Sequence, residues 1–281
     1  MTDSGERPKQ PASIPACLKI GGISMPRIAL WLGAITIVSF AIGFGILALS
    51  GGFPPSPDGS LSPFRHAAFH TPNTTEVSLD GVTAGDIVLT LGAGELRVGG
   101  GAPDPVLIQT TIFTKAPEWQ PELVQGINGS RKTVKVTDKE HKVKEWFAVD
   151  SPNSWTIAIT EKVPVRLNVD IGAGDCTLDL RNITLESLKV DTGAGDTTIE
   201  LGNYPDRRFD ATIDHGVGDL TLRVPPESNM RIHADTGVGD ITVHGFVQDG
   251  DTYVTAGFNQ SRAINEITLN QGVGSIILET V

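Results

Sequence analysis

A four-residue motif, Gly-Ala-Gly-Asp or Gly-Val-Gly-Asp, recurs along the second half of this chain. The first glycines of four consecutive copies are Gly172, Gly193, Gly216 and Gly237, which lie 21, 23 and 21 residues apart. Two altered copies begin at Gly92 and Gly272. A near-constant period of this length is typical of stacked supersecondary units, in which each unit contacts only its neighbours.

Aliphatic residues alternate with polar ones on both sides of this motif. The column three residues before the first glycine contains Leu89, Val169, Val190, Ile213, Ala234 and Leu269. The column six residues after it contains Val98, Leu178, Ile199, Leu222, Val243 and Leu278. A period of two residues indicates strands with one buried face. Two short strands cannot cover that face alone, but stacked coils bury it continuously.

The fold class predicted for residues 163–281 is therefore all-β, a β-solenoid of coils of about 21 residues. Wide hairpins in place of strictly progressive coils are an open alternative. The corners are assigned to paired glycines, because glycine adopts positive φ without a Cβ clash. These structural corner residues are Gly172, Gly174, Gly193, Gly195, Gly216, Gly218, Gly237, Gly239, Gly272 and Gly274.

An uncharged apolar run covers residues 28–49. At about 1.5 Å per residue, a helix of this length crosses a hydrocarbon core. A cleavable signal peptide is the alternative, although such apolar regions are usually shorter. The residues before the run carry a net charge of +2, and no basic residue follows it until Arg65. The positive-inside rule then places the N-terminus in the cytoplasm. We therefore expect a single-pass protein of the cell membrane with its β domain outside the cytoplasm.

The remaining boundaries follow from composition. The expected organisation is a disordered cytoplasmic tail (1–26), a transmembrane helix (27–50), a Pro/Gly/Ser-rich linker (51–75), an N-terminal β region (76–162) and the solenoid (163–281). The net charge of −11 argues against nucleic acid and anionic lipid headgroups as main partners. The basic cluster at residues 131–144 is interleaved with acids, and we interpret it as a solvated strand face.

Acidic residues occur at two fixed positions in each full motif. They are Asp170, Asp175, Asp191, Asp196, Asp214, Asp219, Asp235 and Asp240. In stacked coils these residues form two rows of like charge, which need compensation. Hydrogen bonds from corner N–H groups to the aspartates would supply it locally. A Ca²⁺ site on these carboxylates is the less favoured alternative.

Other chemical motifs are weaker. No copy completes a Gly-x-Gly-x-x-Gly nucleotide loop. Asp-Thr-Gly occurs at Asp191 and Asp235, as in aspartic proteases, but in the repeat register. His215, His233 and His244 differ in register, and Cys176 falls in an inward column. The sequence therefore predicts a non-enzymatic protein with no catalytic residue, cofactor, metal ligand or small-molecule substrate.

The chain resembles the toast-rack family, which includes LiaF-like "cell-wall-active antibiotic response" domains and adhesin-like envelope proteins. The resemblance rests on residues 87–98 (Ile-Val-Leu-Thr-Leu-Gly-Ala-Gly-Glu-Leu-Arg-Val), residues 155–159, residues 163–169 and the Gly-Ala-Gly-Asp series. It implies that residues 76–162 are an N-terminal β region of the toast-rack type. It also implies a β-solenoid without known catalytic residues, often attached to transmembrane helices.

Three functions remain open from the sequence. The first is a membrane-anchored envelope protein whose solenoid mediates adhesion, association with an unknown envelope protein, or self-association. For this function, the last coil, Ser275 to Val281, is expected to present an exposed docking edge. The second is an accessory regulator of envelope-stress signalling that acts through the transmembrane helix. An enzyme acting on wall polymers is the third and least favoured hypothesis.

Overall fold

The computed structural model describes residues 72–114, 119–138, 153–204, 207–259 and 262–281. Within these ranges the regular structure consists of eighteen strands, as expected for an all-β chain. The first nine are β1 Asn73–Ser78, β2 Ala84–Gly99, β3 Val106–Phe113, β4 Glu122–Asn128, β5 Arg131–Thr137, β6 Asn153–Ile159, β7 Val165–Ala173, β8 Cys176–Leu180 and β9 Leu185–Ala194. The last nine are β10 Thr197–Leu201, β11 Asp210–Val217, β12 Leu220–Val224, β13 Met230–Val238, β14 Ile241–His244, β15 Phe246–Asp249, β16 Thr252–Thr255, β17 Asn265–Val273 and β18 Ile276–Thr280.

Each coil consists of one strand before a glycine corner and one strand after it. The strands before the corner form the first face of the stack: β7, β9, β11, β13, β17 and the first half of β2. The strands after the corner form the second face: β8, β10, β12, β14, β18 and the second half of β2. Neighbouring coils pair in parallel with equivalent positions aligned. The β-solenoid class predicted from the repeat is confirmed at this level.

The stacking order departs from the chain order at the C-terminal end. Strand β17 pairs with β11 on one side and β13 on the other, and β18 likewise pairs with both β12 and β14. The last coil of the sequence is therefore inserted between the two coils that precede it. The expectation of an exposed edge at Ser275 to Val281 is wrong, because β18 has a ladder partner on each side.

Aliphatic columns fill the space between the two faces. Leu178, Ile199, Leu222 and Leu278 are all 0% exposed. Complete burial of a side chain of this kind contributes about 2–3 kcal/mol, so each interior coil adds a substantial share of the stability. Val243, which the sequence placed in the same column, is only half-buried and packs against the edge of the core. The inserted coil, and not the one containing Val243, occupies the interior position.

The two ends of the stack are closed differently. At one end, β5 and β6 pair in parallel with β2 and are followed by the antiparallel strands β4, β3 and β1. At the other end, the β15–β16 hairpin pairs with β13 only at Arg231 and Ile232. The hairpin leaves the rest of β13, and all of β14, without a further strand among the described residues.

One charged residue does not fit the solvated face expected for residues 131–144. Lys132 is 2% exposed, and its ammonium donates hydrogen bonds to the Ser78 carbonyl oxygen and the Asp80 carboxylate. The hydrogen bond from Lys132 lowers the pKa of the Asp80 carboxyl. A buried ammonium requires such partners, because an unpaired charge is strongly disfavoured in an apolar interior.

The apolar run at residues 28–49 and the tail lie outside the described residues, as does the linker up to residue 71. The end of the predicted linker, residues 73–75, belongs to β1. Within the ranges that the structure describes, no helix has the length and hydropathy needed to cross a membrane.

Candidate interaction surface

The residues between the two glycines of successive corners form a row, which we call the corner ridge. Ala93 and Ala173 are half-buried, and the members from Ala194 onward are exposed. Neighbouring members pair directly across adjacent coils, in the order Ala93, Ala173, Ala194, Val217, Val273 and Val238. The three valines are 53%, 47% and 66% exposed, in that order. At about 4.8 Å per coil, they form a continuous apolar strip about 10 Å long from the first valine to the third. Exposed aliphatic side chains aligned in this way are available for apolar contact with another molecule.

The leading acid row lies two residues before the first glycine of each corner. Its members pair in the order Asp170, Asp191, Asp214, Asn270 and Asp235. The inserted coil therefore contributes a neutral Asn270 between two aspartates, and its amide donates a hydrogen bond of 2.7 Å to Asp214 Oδ1. Without the inserted coil, Asp214 and Asp235 would be direct neighbours.

The trailing acid row lies three residues after the first glycine. It contains Asp175, Asp196, Asp219, Ser275 and Asp240, in spatial order. The Oδ1 atoms of the first three accept hydrogen bonds from the backbone N–H of the next coil, at 3.4, 3.0 and 3.1 Å. These bonds compensate the charges locally, and Ser275 separates Asp219 from Asp240 in the same way as Asn270 does in the leading row.

The eight aspartates weighed as a calcium site do not converge. Among the described residues, no group of three or more His, Cys, Asp or Glu side chains has the arrangement needed to hold a metal ion. The two Asp-Thr-Gly copies are also separated, because Asp214 and Asn270 lie between Asp191 and Asp235. The geometry supplies neither a calcium cage nor a paired-carboxylate site.

The paired glycines serve two different physical purposes. The second glycines, Gly174, Gly195, Gly218, Gly239 and Gly274, have φ between +126° and +146°, where other residues are strained. The first glycines have no such φ. At Gly172, however, a Cβ would lie 2.5 Å from the Gly92 carbonyl oxygen, and Gly193, Gly216, Gly237 and Gly272 are crowded by a neighbouring coil in the same way. The sequence argument from positive φ accounts only for the second glycine of each pair.

A small polar cluster lies in the core beneath the corner. Oγ1 of Thr192 is within hydrogen-bond distance of His215 Nδ1, and Thr197 Oγ1 lies 3.4 Å from the same nitrogen. Gln271, opposite His215 on the next strand, donates its amide to the Gly218 and Val273 carbonyls. Burial lowers the pKa of His215, outweighing the opposing attraction of the Asp196 and Asp219 carboxylates. Burial therefore favours the neutral form of the His215 imidazole.

Sequence reasoning did not identify this cluster. The signal was available, since the position just before the first glycine faces inward and contains Thr192, His215 and Gln271 in neighbouring coils. Of the three histidines considered, His215 is buried, whereas His233 and His244 are exposed on different strands. Burial also raises the pKa of the Cys176 thiol to about 12, which keeps it protonated and unreactive at neutral pH.

The family described as the N-terminal domain of toast_rack, DUF2154, matches residues 68–223, which is just over half of the chain. The chain belongs to the toast-rack family. The resemblance recognised in the glycine-corner series is thereby confirmed. The match ends within β12, before the coil that is inserted out of order.

One solved structure shares the fold of this chain. A candidate cell adhesion protein from Clostridium sporogenes is 23% identical over 75% of this chain and 99% of its own length, with a TM-score of 0.64. A candidate adhesin from Bacteroides fragilis covers 82% of this chain and 100% of its own, with 10% identity and a TM-score of 0.27. The first similarity shows a shared fold, and the second is too remote to support an argument. No curated protein matches the sequence.

Proposed function

We propose that this toast-rack protein is a non-catalytic, membrane-anchored component of the cell envelope. Its β-solenoid presents the corner ridge for adhesion or protein association. The observation that carries the proposal is the ridge itself, in which three exposed valines are aligned between two acid rows. The solved relative described as a candidate cell adhesion protein supports the same class of function by analogy.

The chemistry of the ridge determines the kind of partner that fits it. Val217, Val273 and Val238 offer apolar contact, while the flanking aspartates produce a negative potential on both sides. A partner surface with aliphatic side chains between lysine or arginine residues would match both features. The apolar centre contributes affinity, and the charges contribute orientation and rate of encounter.

The proposed anchor is the apolar run at residues 28–49, with the N-terminus in the cytoplasm and the solenoid outside. Residues 51–72, rich in Pro, Gly and Ser, would then hold the solenoid away from the bilayer. The support is the sequence alone: a span-length uncharged segment preceded by a net positive tail.

Cell adhesion provides the test of the ridge. Cells lacking the native protein would express either the wild-type full chain or the triple variant Val217→Ser, Val238→Ser, Val273→Ser. At equal surface abundance, we expect the triple variant to reduce retention on the substratum or on partner cells about tenfold. The matched control is Val124→Ser, Ile127→Ser, Val247→Ser, which removes three exposed aliphatic side chains away from the ridge.

Retention by the ridge variant equal to that of wild type would overturn the proposal. Replacement of residues 28–49 by an unrelated spanning helix separates the alternative function. Adhesion through the solenoid should survive the replacement. If the phenotype is instead lost with the helix while the protein still reaches the surface, regulation through the helix is the better account.

A further inference from the structure

Strand β14 forms one edge of the second face. It pairs with β18 through Ile241 to His244, and no other described strand pairs with it. The Ile276 N–H donates to the Asp240 carbonyl, so that carbonyl points toward β18. Because backbone groups alternate along a strand, those of Thr242 also point toward β18, and those of Ile241 and Val243 point away from the stack. Two N–H and two C=O groups are therefore directed outward at this edge.

The core is less completely covered along this edge than in the interior of the stack. Ile241 and Val243 are half-buried, whereas Ile276 and Leu278, their neighbours on β18, are 0% exposed. The opposite edge of the same face is β1, where only Val77 is buried and the other five residues are exposed. An additional strand would therefore bury apolar surface at β14 but very little at β1.

Charge favours an antiparallel additional strand. A further parallel Gly-x-Gly-Asp coil would place an acid beside Asp240, which has the neutral Ser275 as its neighbour on the other side. An antiparallel strand of the same sequence avoids this clash. If Thr242 faces its own counterpart, Ile241 lies opposite Val243, and Asp240 lies opposite His244.

This register also satisfies the backbone. The outward-pointing groups of Ile241 and Val243 then face each other across the two copies, giving four hydrogen bonds. Inward side chains meet inward side chains, so the half-buried apolar column continues from one copy into the next. Shifting the register by two residues in either direction would leave one of the two outward-pointing residues without a counterpart in β14.

We propose that two copies of this chain associate through β14, antiparallel, about a twofold axis at Thr242. The second face then becomes one sheet that runs through both solenoids. The interface is isologous, so it closes after two copies and does not propagate into a filament. This inference does not depend on the corner ridge, and either proposal can fail without the other.

Disulfide trapping tests the axis directly. In a full-length Cys17→Ser background, Thr242→Cys places a thiol on each side of the axis, at a non-hydrogen-bonded pair where the Cα atoms lie about 4.5 Å apart. Thr177→Cys is the matched control, because Thr177 is the exposed equivalent on the interior strand β8. The remaining Cys176 is buried.

After mild oxidation in native membranes, we expect a covalent dimer from Thr242→Cys at least ten times more abundant than from Thr177→Cys. Equal yields from both positions, or no dimer from Thr242→Cys, would overturn the proposal. As a second measurement, Thr242→Lys places like charges on the axis and should convert the detergent-solubilised dimer to monomer. Thr177→Lys should leave the dimer intact. Wild-type chain that is already monomeric in this measurement also overturns the proposal.

Discussion

The coils at residues 165–224 and those at residues 230–280 share the same corner but are assembled differently. In the first region, each coil packs on the one before it in the sequence. In the second, the coil at residues 265–280 separates two coils that are consecutive in the sequence. The difference shows that the repeat defines the unit of the stack but not its order.

Side-chain composition explains why the second region is reordered. The inserted coil has buried Leu269 and Leu278 in its inward columns, where the terminal coil has the less buried Ala234 and Val243. The coil with larger apolar residues occupies the position with neighbours on both sides. The inserted coil also has Asn270 and Ser275 at the two aspartate positions. These neutral residues interrupt the acid rows and reduce the charge repulsion along them.

The largest expected effect is at a corner of the first region. Gly195 has φ +127°, and a Cβ there would overlap the Gly174 backbone. We expect Gly195→Ala to lower the free energy of unfolding by about 3–5 kcal/mol, from strain and overlap together. Gly239→Ala, in the terminal coil with a neighbour on one side only, should cost about half as much, because that coil can shift outward.

Chemical denaturation of the detergent-solubilised chain measures both variants. Gly126→Ala is the control, because a Cβ there meets nothing within 4 Å, and it should change stability by less than about 0.5 kcal/mol. Equal losses from Gly195→Ala and Gly239→Ala would contradict the assignment of the Gly239 coil to the end of the stack.

Core truncations test the stacking order itself. Leu278→Ala and Leu222→Ala should each lower the free energy of unfolding by about 3 kcal/mol, because both side chains are completely buried. Val243→Ala should cost about 1 kcal/mol or less, since fewer atoms are removed from a half-buried site. If the stack followed the chain order, Val243 would be an interior residue and Leu278 a terminal one. Val243→Ala would then cause the larger loss in the free energy of unfolding per atom removed, and Leu278→Ala would cause only a small loss. Denaturant unfolding curves distinguish these outcomes through their midpoints, provided that the dependence of the unfolding free energy on denaturant concentration is the same for all variants.

An aspartate at position 275 tests whether charge repulsion matters in the trailing acid row. Ser275→Asp places an acid between Asp219 and Asp240, and we expect a loss of about 0.5–1 kcal/mol from repulsion in a solvated setting. Raising the salt concentration from about 0.05 to 1 M should remove most of this loss. Ser275→Asn is the neutral control of similar size. A salt-independent loss would attribute the effect to altered corner geometry and not to charge.

The smallest effect concerns His215, whose equivalent in the terminal coil is Thr236. Burial lowers the pKa of His215 in the folded state, so the unfolded chain binds a proton first as the pH falls. Stability should therefore decrease as the pH drops below about 6.5, the ordinary histidine pKa, and level off below the folded-state pKa. Unfolding free energies at pH 7.5 and 5.5 should differ less for His215→Gln than for wild type. His233→Gln, at an exposed position, should retain the wild-type difference.

Much of this architecture follows from local pattern. Alternation around the glycine pairs was sufficient to predict the inward columns, including Leu178, Ile199 and Leu222. The fixed offsets of the aspartates were sufficient to predict two in-register rows, because parallel coils align equivalent positions. These features depend on spacing within one unit, and spacing is explicit in a sequence.

The features that could not be predicted from the sequence depend on which coils are neighbours in the stack. Insertion of the last coil depends on a balance between burial and charge over the entire end of the stack. The burial of Lys132 depends on Ser78 and Asp80, which lie more than fifty residues away in the chain. The exposed edge strand was expected at Ser275–Val281 but lies at Ile241–His244. The reason is the same, because an edge strand can be identified only when the neighbours of every strand are known.

Insertion of the last coil also has a consequence for biosynthesis. During translation, residues 230–244 leave the ribosome well before residues 265–280, so their proper neighbour does not yet exist. If they stacked early on residues 210–224, Asp235 would face Asp214 and Asp240 would face Asp219, and both acid rows would continue without the neutral residues of the inserted coil. The gap is filled only after residues 265–280 have been synthesised, and Val281 then donates its N–H to the Val224 carbonyl. A tag fused after Val281 would therefore emerge from the penultimate coil of the stack, beside the terminal coil at residues 230–244.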